Sequence, residues 1–138
     1  MSKEKVISED VALNDLELFI NEWVEKPEPK DKLIESYPLI FEALMSGNLV
    51  LENNIPVYKM VTPIKNVKGE VSISELSFRT RISPMNQARL GKGLEIQKDQ
   101  LQYALNCICY IIDKSPQEVD HFGKRDYNTV REIASVFM

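Results

Sequence analysis

Apolar residues crowd one stretch of the chain above all others, and the rest of the chain is expected to be built around it. Within residues 96–113 (IQKDQLQYALNCICYIID), Leu101, Ala104, Leu105, Ile108, Ile111 and Ile112 recur at the three-and-four spacing of a helix that buries one face. Tyr103, Cys107 and Tyr110 widen the stripe until little besides Gln102 and Asn106 is left to face water along its middle. A helix this apolar needs neighbours on more than one side. Residues 126–138 are expected to supply one, because Tyr127, Val130, Ile133, Ala134 and Phe137 repeat at a similar spacing. Between the two, Ser115-Pro116 can open a short helix and Gly123 can close one. The unit so formed is one of packing, and no chemistry follows from it.

Earlier in the chain the pattern predicts two further helical regions. After a loose, polar start at residues 1–9, Leu13, Leu16, Ile20, Trp23 and Val24 line one side of a helix, with Ala12 and Phe19 adjacent. Ser8 or Asp10 can cap its start, and Pro27 and Pro29 end it. Residues 31–46 follow with Leu33, Tyr37, Ile40, Phe41, Leu44 and Met45 as the buried stripe. Pro38 either kinks this region or starts a second piece, and Gly47 is a stop signal.

Beyond Gly47 the period shortens to that of strands. Leu49–Leu51 and Val57–Val61 flank an Asn53-Asn54 turn, with Pro56 confined to a strand start or an edge. Thr62-Pro63 is expected to open a loop that closes at Lys68-Gly69. Residues 71–73 and 76–78 then alternate in opposite phases, so the Ser74-Glu75 step must absorb a slip as a bulge or brief turn. Such a sheet would be marginal alone and must lie against the helices. Ser83-Pro84 starts a short helix that Gly91 and Gly93 break. The fold class is α+β and mainly helical: N-terminal helices, a small antiparallel sheet of two or three strands, and a C-terminal helical unit. Residues 1–36 read as a helical extension with a polar start and residues 37–138 as the main domain, with one compact unit as the alternative.

Charge changes this picture in one place. The net charge of −4 conceals an acidic first part and a basic middle: residues 1–56 carry 5 basic and 12 acidic side chains, and residues 57–82 carry 5 and 2. The acidic part argues against a general nucleic-acid binder. The basic middle (Lys59, Lys65, Lys68, Arg79 and Arg81) reads either as a patch for an acidic partner or as lysines on a sheet edge that discourage strand addition. No apolar run approaches a bilayer span, the longest being Cys107–Ile112, and the start is too polar for a signal core, so a cytoplasmic protein is expected. Cys107 and Cys109 point in different directions on a helix and are expected to be buried free thiols.

Candidate chemistry is sparse. His121, beside Asp120 and near Glu118, lacks a second His or Cys at ligand spacing. Gly91-Lys92-Gly93 lacks the spacing and the Ser/Thr of a phosphate loop. Asp10, Asp15 and Glu17 read as helix-dipole partners rather than as an acid–base pair. A helix-turn-helix in the last part of the chain would offer Lys124, Arg125 and Arg131 against Asp126 and Glu132, without an array suited to base edges.

Several short motifs point one way. A strand ends in Thr62-Pro63-Ile64 before a polar loop with Gly69. ISELSFRTRISPMNQARL (residues 73–90) follows, a strand of "eL-x-[FL]-R" type leading into a short helix. After the apolar helix comes SPQEVDHFGKRDY, with Ser115-Pro116, Val119, Phe122 and Asp126-Tyr127 at the start of the last helix. FEALMSGNLVLENN, before the first strand, fits the same pattern. With these, residues 44–138 resemble the phage tail assembly chaperones, small non-virion proteins of long-tailed phages and prophages. Met85-Asn86-Gln87 departs from the family pattern, which often has an acidic residue there, and residues 1–36 lie outside the likeness.

The resemblance implies a binding protein with no catalytic site, cofactor or metal. It implies coating of the tail tape measure protein, help in bringing tail tube protein to it, and self-association. Neither nucleic acid nor membrane is an implied partner, and the protein is expected in the bacterial host cytoplasm rather than in the mature virion. A long amphipathic chain would self-associate unless its apolar faces were transiently covered. Helix capture in a groove places affinity in a few anchors. The candidates are Phe19, Trp23, Met45, Tyr110 and Phe137, although a place in the core is the commoner use of each taken singly. A small helix-turn-helix regulator and a generic interaction domain of a mobile element are the other readings.

Overall fold

The computed structural model describes residues 7–95 and 97–138. Of the expected loose start at residues 1–9, residues 1–6 lie outside the described ones, as does Ile96, and Glu9 already belongs to the first helix. Helix α1 (Glu9–Trp23) begins where the Ser8 hydroxyl accepts from Val11 N–H, and Glu9 and Asp10 sit in the first turn, where the helix dipole favours acid. After the proline linker, a 3₁₀ turn (Lys30–Lys32) runs into α2 (Leu33–Ser36). Pro38 then occupies the first turn of α3 (Pro38–Ser46), so the second helical region is two pieces. Gly47 closes α3 at φ 79°, a left-handed conformation that a side chain would strain.

The sheet is antiparallel in the order β1 (Leu49–Glu52), β2 (Ile55–Lys65), β3 (Val71–Ser77). Asn53 and Asn54 both take positive φ, as a two-residue hairpin turn requires, and pair Glu52 with Ile55. Two expectations are corrected here. The strand does not stop at Thr62-Pro63: β2 continues to Lys65, and the turn falls at residues 66–69, where Asn66 N–H donates to the Glu70 carbonyl. The slip assigned to Ser74-Glu75 is real, but the extra residues are on β2. Its register with β3 breaks between Lys59 and Ile64, so residues 60–63 of β2 lie opposite Ser74 alone. This lets both Ile73 and Leu76 reach the core.

Helix α4 (Pro84–Leu90) starts at a Ser83 cap. Helix α5 (Gln100–Ile112) follows, then α6 (Pro116–Asp120), held by a reciprocal Ser115–Glu118 capping box, and α7 (Lys124–Ser135). Helix α7 packs against α3, α5 and β2, and its Val130, Ile133 and Ala134 are fully enclosed. It, rather than α5, is the element the others surround. The correction has a cause within α5. Only its second half, from Cys107 onward, is buried, while Leu101 is 88% exposed because no neighbour reaches it. Helix α1 packs on α3, and Ala12, Leu16, Phe19 and Ile20 share one core with the C-terminal helices. No helix among the described residues is long and apolar enough to cross a membrane. Cys107 and Cys109 are buried free thiols, each held above the ordinary thiol pKa by burial.

Candidate functional site

Two carboxylates of α7 face inward, and both are used to hold the fold. Asp126, in the first turn and 1% exposed, is the more enclosed. Its Oδ1 accepts from the Tyr58 hydroxyl at 2.6 Å and from Val61 N–H at 2.8 Å, and its Oδ2 accepts from Thr62 N–H at 2.9 Å. The β2 bulge explains the arrangement: it frees two successive backbone N–H groups from the ladder, and a buried donor needs an acceptor. Burial, and then the bond to Asp126, push the Tyr58 phenol above its ordinary pKa. Glu132, one and a half turns further on, accepts from Ile40 N–H at 2.6 Å at the start of α3, which has no side-chain cap of its own. Burial raises its pKa, and the bonds from Ile40 and Leu39 only partly oppose this. Arg125 adds an ion pair to Glu42 of α3.

The five proposed anchors fall into two groups. Phe19 has no exposed surface, and its ring meets that of Phe137 edge-on at 5.9 Å. Trp23 lies against the same Phe137 ring at 5.4 Å, and its Nε1–H donates to the Asn54 carbonyl at 2.7 Å. These three form one aromatic cluster that joins α1, the β1–β2 turn and the C-terminal end. Phe19 and Phe137 are thereby taken up by the core. Met45 and Tyr110 are half-buried against the core. The Tyr110 hydroxyl accepts from Asn86 Nδ2 at 2.7 Å, and the Arg79 guanidinium lies over its ring at 4.3 Å.

The open apolar surface is elsewhere. A groove of about 620 Å³ runs between α4 and α5, walled by Pro84, Ala88, Gly91, Leu94 and Tyr103 and bordered by Asp99. Met85 and Leu101, on the two helices that form it, are the most exposed large apolar residues of any helix described. The sequence signal for Leu101 was its place in the buried stripe; only the length of α5 left uncovered distinguishes it from Ile108.

His121 is exposed at the end of α6. Its neighbour Glu118 is engaged in the capping box, where the Ser115 N–H holds its carboxyl below the ordinary pKa. Among the described residues no group of three or more His, Cys, Asp or Glu side chains could hold a metal ion. In comparisons with known proteins, no family model, no curated sequence and no solved structure matches the chain.

Proposed function

We propose that this protein is a tail assembly chaperone of a phage or prophage: a non-catalytic binder of the tape measure protein that assists tail tube assembly in the host cytoplasm. One observation carries the reading. The two most specific motifs of the resemblance, the Thr62-Pro63-Ile64 strand and the Asp126-Tyr127 helix start, are far apart in sequence yet meet at the buried carboxylate, where Thr62 N–H donates to Asp126. Motifs that depend on each other for their conformation support a shared fold better than motifs that are merely present. The uncovered half of α5 and the groove beside it supply the kind of apolar surface that helix capture needs.

The helix-turn-helix alternative fits the geometry less well. Of the cations α7 would present, Arg125 is paired with Glu42 and Arg131 lies over the Tyr127 ring at 5.9 Å. Co-expression with fragments of the tape measure protein encoded next to this reading frame tests the proposal. An insoluble fragment should become soluble and co-purify with the protein; failure of every fragment at every ratio would refute it.

A further inference from the structure

The outer edge of β3 is an open strand. Val71–Ser77 pairs with β2 on one side. On its other side, no described backbone group of the strand bonds to another element. The first bond away from the sheet comes after the strand, where Arg79 N–H donates to the Ile111 carbonyl at 2.7 Å. Proteins usually blunt such an edge by making it short, by covering it, or by placing Lys or Pro on it. The opposite edge is treated that way: β1 is 4 residues long and lies against α3. β3 is 7 residues long and contains neither Lys, Arg nor Pro. The larger bulge belongs to β2; β3 has one extra residue of its own, Ser72, near its start, where Ile64 and Lys65 face Ile73 and Val71. Its exposed residues are Val71, Ser72, Ser74, Glu75 and Ser77; the three serines leave the backbone accessible, and Glu75, at mid-strand, is the one charge on it.

The charges decide what could pair there. None of the basic residues of the middle segment lies on β3 itself, so they do not guard the edge. They stand at its two ends instead: Lys65, at the end of β2 opposite Val71, and Lys68 in the turn before the strand, with Glu70 between them and Val71, and Arg79 and Arg81 after it, all exposed. Arg79 is bonded to Asp113 at 3.1 Å, whereas Lys65, Lys68 and Arg81 have no ion-pair partner among the described residues. A second copy adding by two-fold symmetry would run antiparallel and set the lysine end of one strand against the arginine end of the other, twice. Like charges would meet at both ends. An extended strand with carboxylates at its ends meets complementary charge instead.

We infer that the β3 edge is a strand-addition site for an extended acidic segment of a partner protein, bound by backbone hydrogen bonds to Val71–Ser77 and by Lys65, Lys68 and Arg81 at its ends. The site is separate from the α4–α5 groove and does not depend on the chaperone reading.

Two synthetic peptides test it: alternating threonine and valine with paired aspartates at both ends, and a twin with lysines in place of the aspartates. The aspartate peptide should bind the native protein, with amide shifts and slowed hydrogen exchange confined to residues 71–77. The lysine twin should bind about tenfold more weakly, the difference a few exposed charge pairs supply. The double substitution Lys68→Glu and Arg81→Glu, outside the strand, should reverse the preference. No binding of the aspartate peptide, equal affinity for both peptides, or perturbation centred elsewhere overturns the inference. So does a free protein that is already dimeric with residues 71–77 protected, which would make the occupant a second copy.

Discussion

The Tyr58 hydroxyl donates to Asp126 Oδ1 at 2.6 Å, tying the middle strand of the sheet to the first turn of the last helix. The same carboxylate satisfies the two N–H groups that the β2 bulge exposes. Asp126→Ala leaves the buried Tyr58 hydroxyl and two part-buried N–H groups without their acceptor and is expected to lower stability by about 2–4 kcal/mol. Tyr58→Phe removes one bond to a charged group and should cost about 1.5–3 kcal/mol. Urea denaturation of both variants and of the double variant measures this. The double variant should lose less than the sum of the singles, because the two side chains share one bond.

Glu132 carries a pH dependence of known sign. Burial raises its pKa in the folded protein, so the folded state holds a proton more tightly than the unfolded chain between the ordinary carboxyl pKa and the raised one. Its contribution to stability is therefore greatest below the ordinary carboxyl pKa. That contribution falls as pH rises through the window, and levels off above it. Glu132→Gln removes the dependence. The stability of the Gln variant relative to the native protein should rise as pH increases from the ordinary carboxyl pKa, and a difference that falls or stays flat would contradict the burial of this carboxyl.

Phe137 joins α1 to the end of the chain through two edge-on ring contacts. Phe137→Ala should cost about 3–5 kcal/mol and expose the α1 segment to proteolysis ahead of the rest. Loss of stability with α1 still protected would mean that α1 is held by its other contacts, with α2, α3 and the β1–β2 turn, and not by Phe137.

Leu101 should behave in the opposite way. Its side chain is almost fully in water, so Leu101→Lys is expected to change stability by no more than about 0.5 kcal/mol. If the uncovered half of α5 receives the tape measure protein, the same substitution weakens co-purification while leaving the melting temperature unchanged.

Burial also sets the reactivity of the two thiols. Cys107 and Cys109 are enclosed, and each is shifted toward the protonated, unreactive form. A thiol reagent should label them slowly in the native protein and at once in urea. Fast native labelling would place α5 on the surface.

What could be read from the sequence was local. Ser83 and Ser115 cap their helices and Gly47 ends one, because a cap is made by residues within one turn of each other. The Asn53-Asn54 hairpin is legible for the same reason. The continuation of β2 through Thr62-Pro63 was not, since the group that stabilises it arrives 64 residues later as Asp126. Periodicity also misjudged one end of its own signal. It counted Leu101 as buried, since spacing does not say how far a neighbour extends. Nor does spacing show that Asp126 and Glu132 face inward, since a buried carboxylate in a helix looks like an exposed one in sequence. Of the anchor candidates, Phe19 and Trp23 both meet the Phe137 ring, a contact between residues too far apart in sequence for size and aromaticity to show.

The most direct test of the chaperone account is light scattering during dilution of a denatured tape measure fragment, with and without this protein. Suppression that grows with added protein and saturates at a fixed ratio, and that Leu101→Lys weakens, is the predicted result. Scattering that is the same with and without the protein, at every ratio, would contradict it.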